Sequence, residues 1–187
     1  MVDGGAGNDT IVSEAGFNVI DGGADDDSIT GGSGDDTLIG GTGNDTLIGG
    51  SLHDSMDGGT GDDSLDGGNY GDAVNGGAGQ DTLTGGSLWD VFIFTSLTDS
   101  TNVAADLITD YSIGEDVILL NNLGITGIGV GATEVTITDD GSQTFIDHNS
   151  STFQIVLDGV FTASDLTLLY NDLLYGAPIQ ADTITGS

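Results

Sequence analysis

Between Gly4 and Ile93 the chain repeats every nine residues, ten times over, with no slip in register. The units read GGAGNDTIV, SEAGFNVID, GGADDDSIT, GGSGDDTLI, GGTGNDTLI, GGSLHDSMD, GGTGDDSLD, GGNYGDAVN, GGAGQDTLT and GGSLWDVFI. Their eighth position is always apolar: Ile11, Ile20, Ile29, Leu38, Leu47, Met56, Leu65, Val74, Leu83 and Phe92. Their sixth is Asp9, Asn18, Asp27, Asp36, Asp45, Asp54, Asp63, Asp72, Asp81 and Asp90, so Asn18 alone departs from aspartate. A unit this short cannot enclose a core of its own. It must stack on copies of itself, which confines the chain to solenoid architectures.

Within a unit the glycine-rich first half reads as a turn, because glycine reaches positive φ at little cost. The second half, such as Asp45-Thr46-Leu47-Ile48, reads as a short strand whose alternation sends Leu47 inward and its neighbours outward. One unit then makes half a coil, and two make a full coil of about eighteen residues, with units of equal parity stacked about 4.8 Å apart. One edge of the stack carries Asp9, Asp27, Asp45, Asp63 and Asp81, and the other carries Asn18, Asp36, Asp54, Asp72 and Asp90.

Stacked carboxylates repel, and the composition offers no internal remedy. The chain holds 31 aspartates and glutamates with no lysine or arginine, a net charge of −31, which opposes the compact state. One buried apolar side chain per unit contributes roughly 1.5–3 kcal/mol, less than the cost of ordering nine residues, several of them glycine. A dissolved cation is the remaining counter-charge. Carboxylates and turn carbonyls are hard oxygen ligands suited to Ca²⁺, and the chain has no cysteine to hold a softer metal. The expected ligands are the sixth-position side chains named above, together with the turns that begin at Gly4, Gly22, Gly31, Gly40, Gly49, Gly58, Gly67, Gly76 and Gly85. Four inter-coil gaps on each edge give about eight calcium ions. The gap between Asn18 and Asp36 should be the weakest, since Asn18 is uncharged and its unit lacks the glycine pair. Asp25, Leu52, Tyr70 and Leu88 stand at fourth positions where glycine is usual, and their bulk is expected to distort the turn.

After Val91 the texture changes to branched aliphatics and aromatics. Strands are expected at 91–95, 106–111, 117–120, 134–138, 143–147 and 154–157, with a hairpin turn at Asp139-Asp140-Gly141-Ser142. Thr162 or Ser164 is placed to cap a short helical turn running to Leu169. Such a segment can cover the open end of a solenoid. The expected fold is therefore all-β: a right-handed parallel β-roll over residues 1–93, capped by a small, mainly antiparallel β domain over 94–175. Residues 176–187 read as a linker and the start of a further repeat, since Ala181–Gly186 fits positions five to nine plus the next glycine. Val2 and Asp3 likewise fit the end of a preceding unit, so the chain is expected to belong to a longer protein.

The nonapeptides resemble the calcium-binding repeats of RTX (repeat-in-toxin) proteins. Asp90-Val91-Phe92-Ile93-Phe94 and the run from Asp106 through Asp110-Tyr111 and Gly114-Glu115-Asp116 to Leu120 resemble the segment that follows the repeats in serralysin-type proteases and in R-modules of mannuronan C5-epimerases. Residues 123–129 and 143–146 are more similar to the epimerase modules, and 162–166 to the last turn of both. The resemblance implies calcium-dependent folding and export by type I secretion machinery to the extracellular space, as a module attached to neighbouring domains of a parent protein. It also implies an alternative role, binding an alginate-like polysaccharide. The departure is charge, for R-modules normally present basic residues and this chain has none.

Nucleic acid is excluded as a partner because no basic footprint exists, and no apolar run is long enough for a membrane span. No catalytic residue is assigned. His53 and His148 are the only histidines, neither lies in an HExxH pattern, and His53 falls on an exposed turn. Among the third positions only Thr42 and Thr60 are threonine, too few for an ice-binding threonine ladder. Trp89 is expected to pack at the junction of roll and cap. The reading is a non-catalytic calcium-binding module of a larger secreted protein.

Overall fold

The computed structural model describes residues 1–101, 103–121, 123, 127–128, 134–148, 153–161, 166–171 and 180–183. Its regular elements there are all β-strands. The repeats form β1 (Val2–Ala6), β2 (Thr10–Val12), β3 (Val19–Ala24), β4 (Ser28–Ser33), β5 (Thr37–Thr42) and β6 (Thr46–Ser51). They continue as β7 (Ser55–Thr60), β8 (Ser64–Asn69), β9 (Ala73–Ala78), β10 (Thr82–Ser87) and β11 (Val91–Phe94). Beyond them come β12 (Asp106–Ile108), β13 (Val117–Asn121), β14 (Gly127–Ile128), β15 (Glu134–Asp139) and β16 (Gln143–His148). The last are β17 (Gln154–Asp158), β18 (Thr167–Asn171) and β19 (Gln180–Thr183).

The odd strands β1 to β11 stack in one sheet and the even strands β2 to β10 in the other, all parallel. Each strand pairs with the one two units on, so one coil does take two units. A correction concerns where the turn lies. A strand such as β5 runs from position seven of one unit to position three of the next, so the glycine pair belongs to the strand. Equivalent glycines ladder together, Gly23 with Gly41 and Gly41 with Gly59. The second glycine takes positive φ (112° at Gly41, 103° at Gly59) without breaking the pairing, and the turn shrinks to positions four to six.

The interior is one column of eighth-position side chains. Ile20, Ile29, Leu38, Leu47, Met56, Leu65, Val74, Leu83 and Phe92 are each at most 2% exposed. Alternation makes the first glycine the next inward residue, and it is buried too.

The segment after the repeats carries on the same two sheets. β12 adds to the even sheet with Ile108 beside Leu83, and β13 to the odd sheet with Ile118 beside Phe92. β17 and β18 follow in parallel on β12 and β13. Antiparallel pairing enters at the outer end, in β15–β16–β17 and β18–β19. Larger side chains fill this end, with Phe94 edge-on to Phe153 at 5.8 Å and Tyr111 edge-on to Phe161 at 5.6 Å. The six expected strands are present within about two residues at each end, except that the second stops at Ile108. The hairpin at 139–142 holds because Asp140 Oδ1 accepts from the amides of Ser142 and Gln143, both at 2.9 Å.

Of the expected helical turn, residues 162–165 lie outside the described residues and 167–169 are strand instead. Parallel pairing of Leu168 with Ile118 at an open sheet edge satisfies the backbone there. Gln180–Thr183 joins β18 antiparallel, unlike the array strands; residues 184–186 of the expected further repeat, and most of 123–129, fall outside the described residues. No helix among the described residues is long and apolar enough to cross a membrane.

Candidate metal centre

The sixth-position side chain folds back onto the first glycine of its own unit. A Cβ on Gly40 would lie 2.5 Å from Asp45 Oδ2 and 2.5 Å from the carbonyl oxygen of Gly58, one coil further on. At Gly49 the same positions are 2.5 Å from Asp54 Oδ2 and 2.7 Å from Gly67 O. A side chain at Gly40 or Gly49 would therefore displace a carboxylate and a carbonyl together. Glycine keeps open a small space where a carboxylate oxygen and the next coil's carbonyl converge.

From Asp27 onward each sixth-position carboxylate also bridges coils. Its Oδ1 accepts the backbone amide of the sixth-position residue one coil earlier. The distances are 2.7 Å from Asp9 N to Asp27, 2.7 Å from Asp45 N to Asp63 and 2.8 Å from Asp54 N to Asp72. The second oxygen has no such partner. Oδ2 of Asp9, Asp27, Asp36, Asp45, Asp54, Asp63, Asp72 and Asp81 is buried with no hydrogen-bond donor. Burial, opposed by the accepted amide and reinforced by neighbouring carboxylates, pushes Asp54 and Asp81 up to about 6 and Asp63 and Asp72 to about 7. Asp90 is raised to about 7 by burial and by the charges of Asp116, Asp110 and Glu115. Buried oxygens without donors, stacked beside carbonyls, want a hard cation. Calcium, with six to eight oxygen ligands, fits them. No three acidic, histidine or cysteine side chains cluster as a cage among the described residues; such a site draws on side chain and backbone of successive coils.

A family model for the RTX calcium-binding nonapeptide repeat matches residues 3–38, 30–65 and 57–88. Residues 3–88 are RTX calcium-binding repeats. Three proteins of Azotobacter vinelandii are similar to the chain. Mannuronan C5-epimerase AlgE5 is 45% identical over 102 residues, 46% of this chain and 10% of that protein. Alginate lyase 7 is 36% identical over 111 residues, 52% of this chain and 13% of that one. Mannuronan C5-epimerase AlgE6 is 31% identical over 103 residues, 49% and 11%. The chain thus spans about a tenth of the length of these relatives. Among solved structures, the AlgE6R3 subunit of the epimerase aligns over 94% of this chain and 89% of its own, at 24% identity and TM-score 0.37. The AlgE6R2 subunit aligns over 82% and 90%, at 27% identity and TM-score 0.42.

Within the RTX array the two edges differ. At the exception, the Asn18 side-chain amide donates to Asp36 Oδ1 at 2.9 Å and to Gly16 O at 2.9 Å, so the chain itself supplies a donor at that gap. An outer row at position five was not foreseen from the sequence. Asn44, Asp62 and Gln80 each donate a backbone amide to the side chain one coil earlier, Asp26, Asn44 and Asp62, at 2.8–2.9 Å.

The bulky fourth-position residues do alter their turns. Asp25, Leu52, Tyr70 and Leu88 take φ of 76–80°, where glycines at that position take 100–154°, at a cost of roughly 1–2 kcal/mol each. Leu52, Tyr70 and Leu88 remain exposed on one edge, next to His53 and Trp89. Trp89 does not pack at the junction of roll and cap as expected. It is 54% exposed, lies over Gly71, where even a Cβ would strike its ring, and faces His53 at 6.0 Å. His53 Nδ1 is 2.8 Å from Gly71 O. Together with Ser55, Ala73 and Val91 these rings bound a groove of about 370 Å³.

Proposed function

We propose that this chain is a non-catalytic calcium-binding module of a larger secreted protein, unfolded where calcium is scarce and folded after export by type I secretion machinery. The supporting observation is the double column of buried carboxylates from Asp27 to Asp81, each with one oxygen bound to the neighbouring coil and one left without a donor, in a chain without lysine or arginine. About eight ions would sit in the gaps defined by Asp9 to Asp81 on one edge and Asn18 to Asp90 on the other, with carbonyls of the glycine pairs completing each shell. The module would then stiffen and position the neighbouring domains of its parent. Titrating calcium while recording far-ultraviolet circular dichroism tests the reading: β signal should grow with calcium and vanish in chelator. Full β signal in chelator would contradict it.

A second reading, binding of an alginate-like polysaccharide, draws support from the groove beside Trp89 and His53, since an exposed indole face can stack on a sugar ring. Calorimetry with alginate oligomers in calcium should then show heat that Trp89→Ala abolishes. Equal heat from the variant would rule out this groove as the binding surface.

A further inference from the structure

The column of carboxylates does not end with the nonapeptides. Asp81 N donates to Asp106 Oδ1 at 2.9 Å, and Asp90 N to Asp116 Oδ1 at 2.9 Å. These repeat the bonds made inside the array, although the sequence separations are 25 and 26 residues in place of 18. Strand register agrees, for Ile108 follows Leu83 in the core column and Ile118 follows Phe92. Asp106-Leu107-Ile108 and Asp116-Val117-Ile118 thus take up positions six to eight of two further units, the two halves of one more coil.

The two ends are finished differently. Asp106 is fully buried, and its Oδ2 has no donor, like that of Asp81 one coil before. Ser100 Oγ accepts the Asp106 amide and donates its one proton to the carbonyl of Gln154, which leaves none for Oδ2. The adjacent Asp99 spends its Oδ2 on the amides of Thr95 and Ser96, both at 2.7 Å. On the other edge Asp116 Oδ2 receives the Ser112 amide at 2.7 Å, so each of its oxygens has a protein donor. Along the first edge, buried donorless oxygens therefore run unbroken from Asp9 to Asp106, whereas on the second they stop at Asp72.

We infer that the chain holds one inter-coil calcium site beyond those of its nonapeptides, between Asp81 and Asp106, and that the opposite edge is closed by Ser112 without an ion between Asp90 and Asp116. The inference rests on the calcium reading of the array and extends it past the repeats. Donor satisfaction decides it: a buried carboxylate with both oxygens bonded needs no cation, and one with a bare buried oxygen does.

The test is an ion count by native mass spectrometry on the whole chain at saturating calcium, with folding followed by circular dichroism. Asp106→Asn keeps the acceptor for Asp81 N and should bind one calcium fewer than the parent. Asp116→Asn should bind the same number. An unchanged count in D106N, or a loss in D116N, overturns the inference. Should D106N fail to fold, calcium anomalous scattering from crystals of the unaltered chain decides: a peak between Asp81 and Asp106 and none between Asp90 and Asp116 is expected, and the absence of the first overturns the site. A parent chain that binds no calcium would instead sink the reading of the array.

Discussion

The repeat array and the segment that follows it share two sheets and one core column, yet they are held together by different means. In the array a central coil, such as that of Asp45 and Asp54, buries two modest apolar side chains, Leu47 and Met56, and leaves two carboxylate oxygens without donors. After Val91 the core takes aromatics, Phe94 on Phe153 and Tyr111 on Phe161. There most acids are bonded by the chain: Asp99 by Thr95 and Ser96, Asp110 by the amides of Gly85 and Gly86 at 2.9 and 2.7 Å, and Asp116 by Ser112. The same backbone path can thus be made stable by solutes or by side chains. If the proposed calcium reading holds, the array depends on the solution around it, and its continuation on packing.

The largest effect expected is that of calcium removal. An ion present at ten times its dissociation constant adds about 1.4 kcal/mol per site, so eight gaps supply about 11 kcal/mol that chelation takes away. Thermal unfolding recorded with and without chelator reads this as a collapse of the transition. If the midpoint stays put, the contrast between the two regions is lost.

Proton concentration acts on the same oxygens. Asp54, Asp63, Asp72, Asp81 and Asp90 have folded-state values of about 6 to 7, above the ordinary 3.8. Without calcium, protonation therefore favours the fold: the stabilisation is complete below about 4 and is lost as pH rises through 6 to 7. In chelator, β signal should reappear on acidification from pH 8 to 5. With calcium present, protons compete, so the calcium midpoint should rise between pH 7.5 and 5.5; a midpoint independent of pH would show that these carboxylates are not the ligands.

Core truncations sharpen the comparison. Phe94→Ala should cost about 3–5 kcal/mol and Leu47→Ala about 2–5 kcal/mol in urea unfolding. Additional calcium should recover more of the loss in the Leu47 variant, which lies between ion gaps. Gly40→Ala is the gentlest change, roughly 1–3 kcal/mol from overpacking. It should also weaken calcium binding, because the new methyl meets Asp45 Oδ2 and Gly58 O. Unaltered binding would mean that the space kept by Gly40 has no part in the site.

Much of this was legible in the sequence because a strict period leaves few choices. Position eight in nine had to face inward, equal parity had to stack, and the acids at position six had to form columns. Where the period fails, so does the reading. Asp106 and Asp116 were hidden by seven and eight additional residues in their coils, though an aspartate two places before an inward isoleucine was a usable signal. Glycine's freedom suggests a bend at each glycine pair, while parallel neighbours with the same φ pair as strand. An isolated aromatic on a turn near the end of the array suggests a place for Trp89 at the junction; Gly71, one coil earlier, gives its ring a seat on the surface instead.

Hydrogen exchange resolved along the chain, in calcium and in chelator, addresses the central claim most directly. Ions in the inter-coil gaps predict that amides of β3 to β10 are protected in calcium and exchange freely in chelator, with β16 and β17 losing less protection. Array amides equally protected in both conditions would contradict the account.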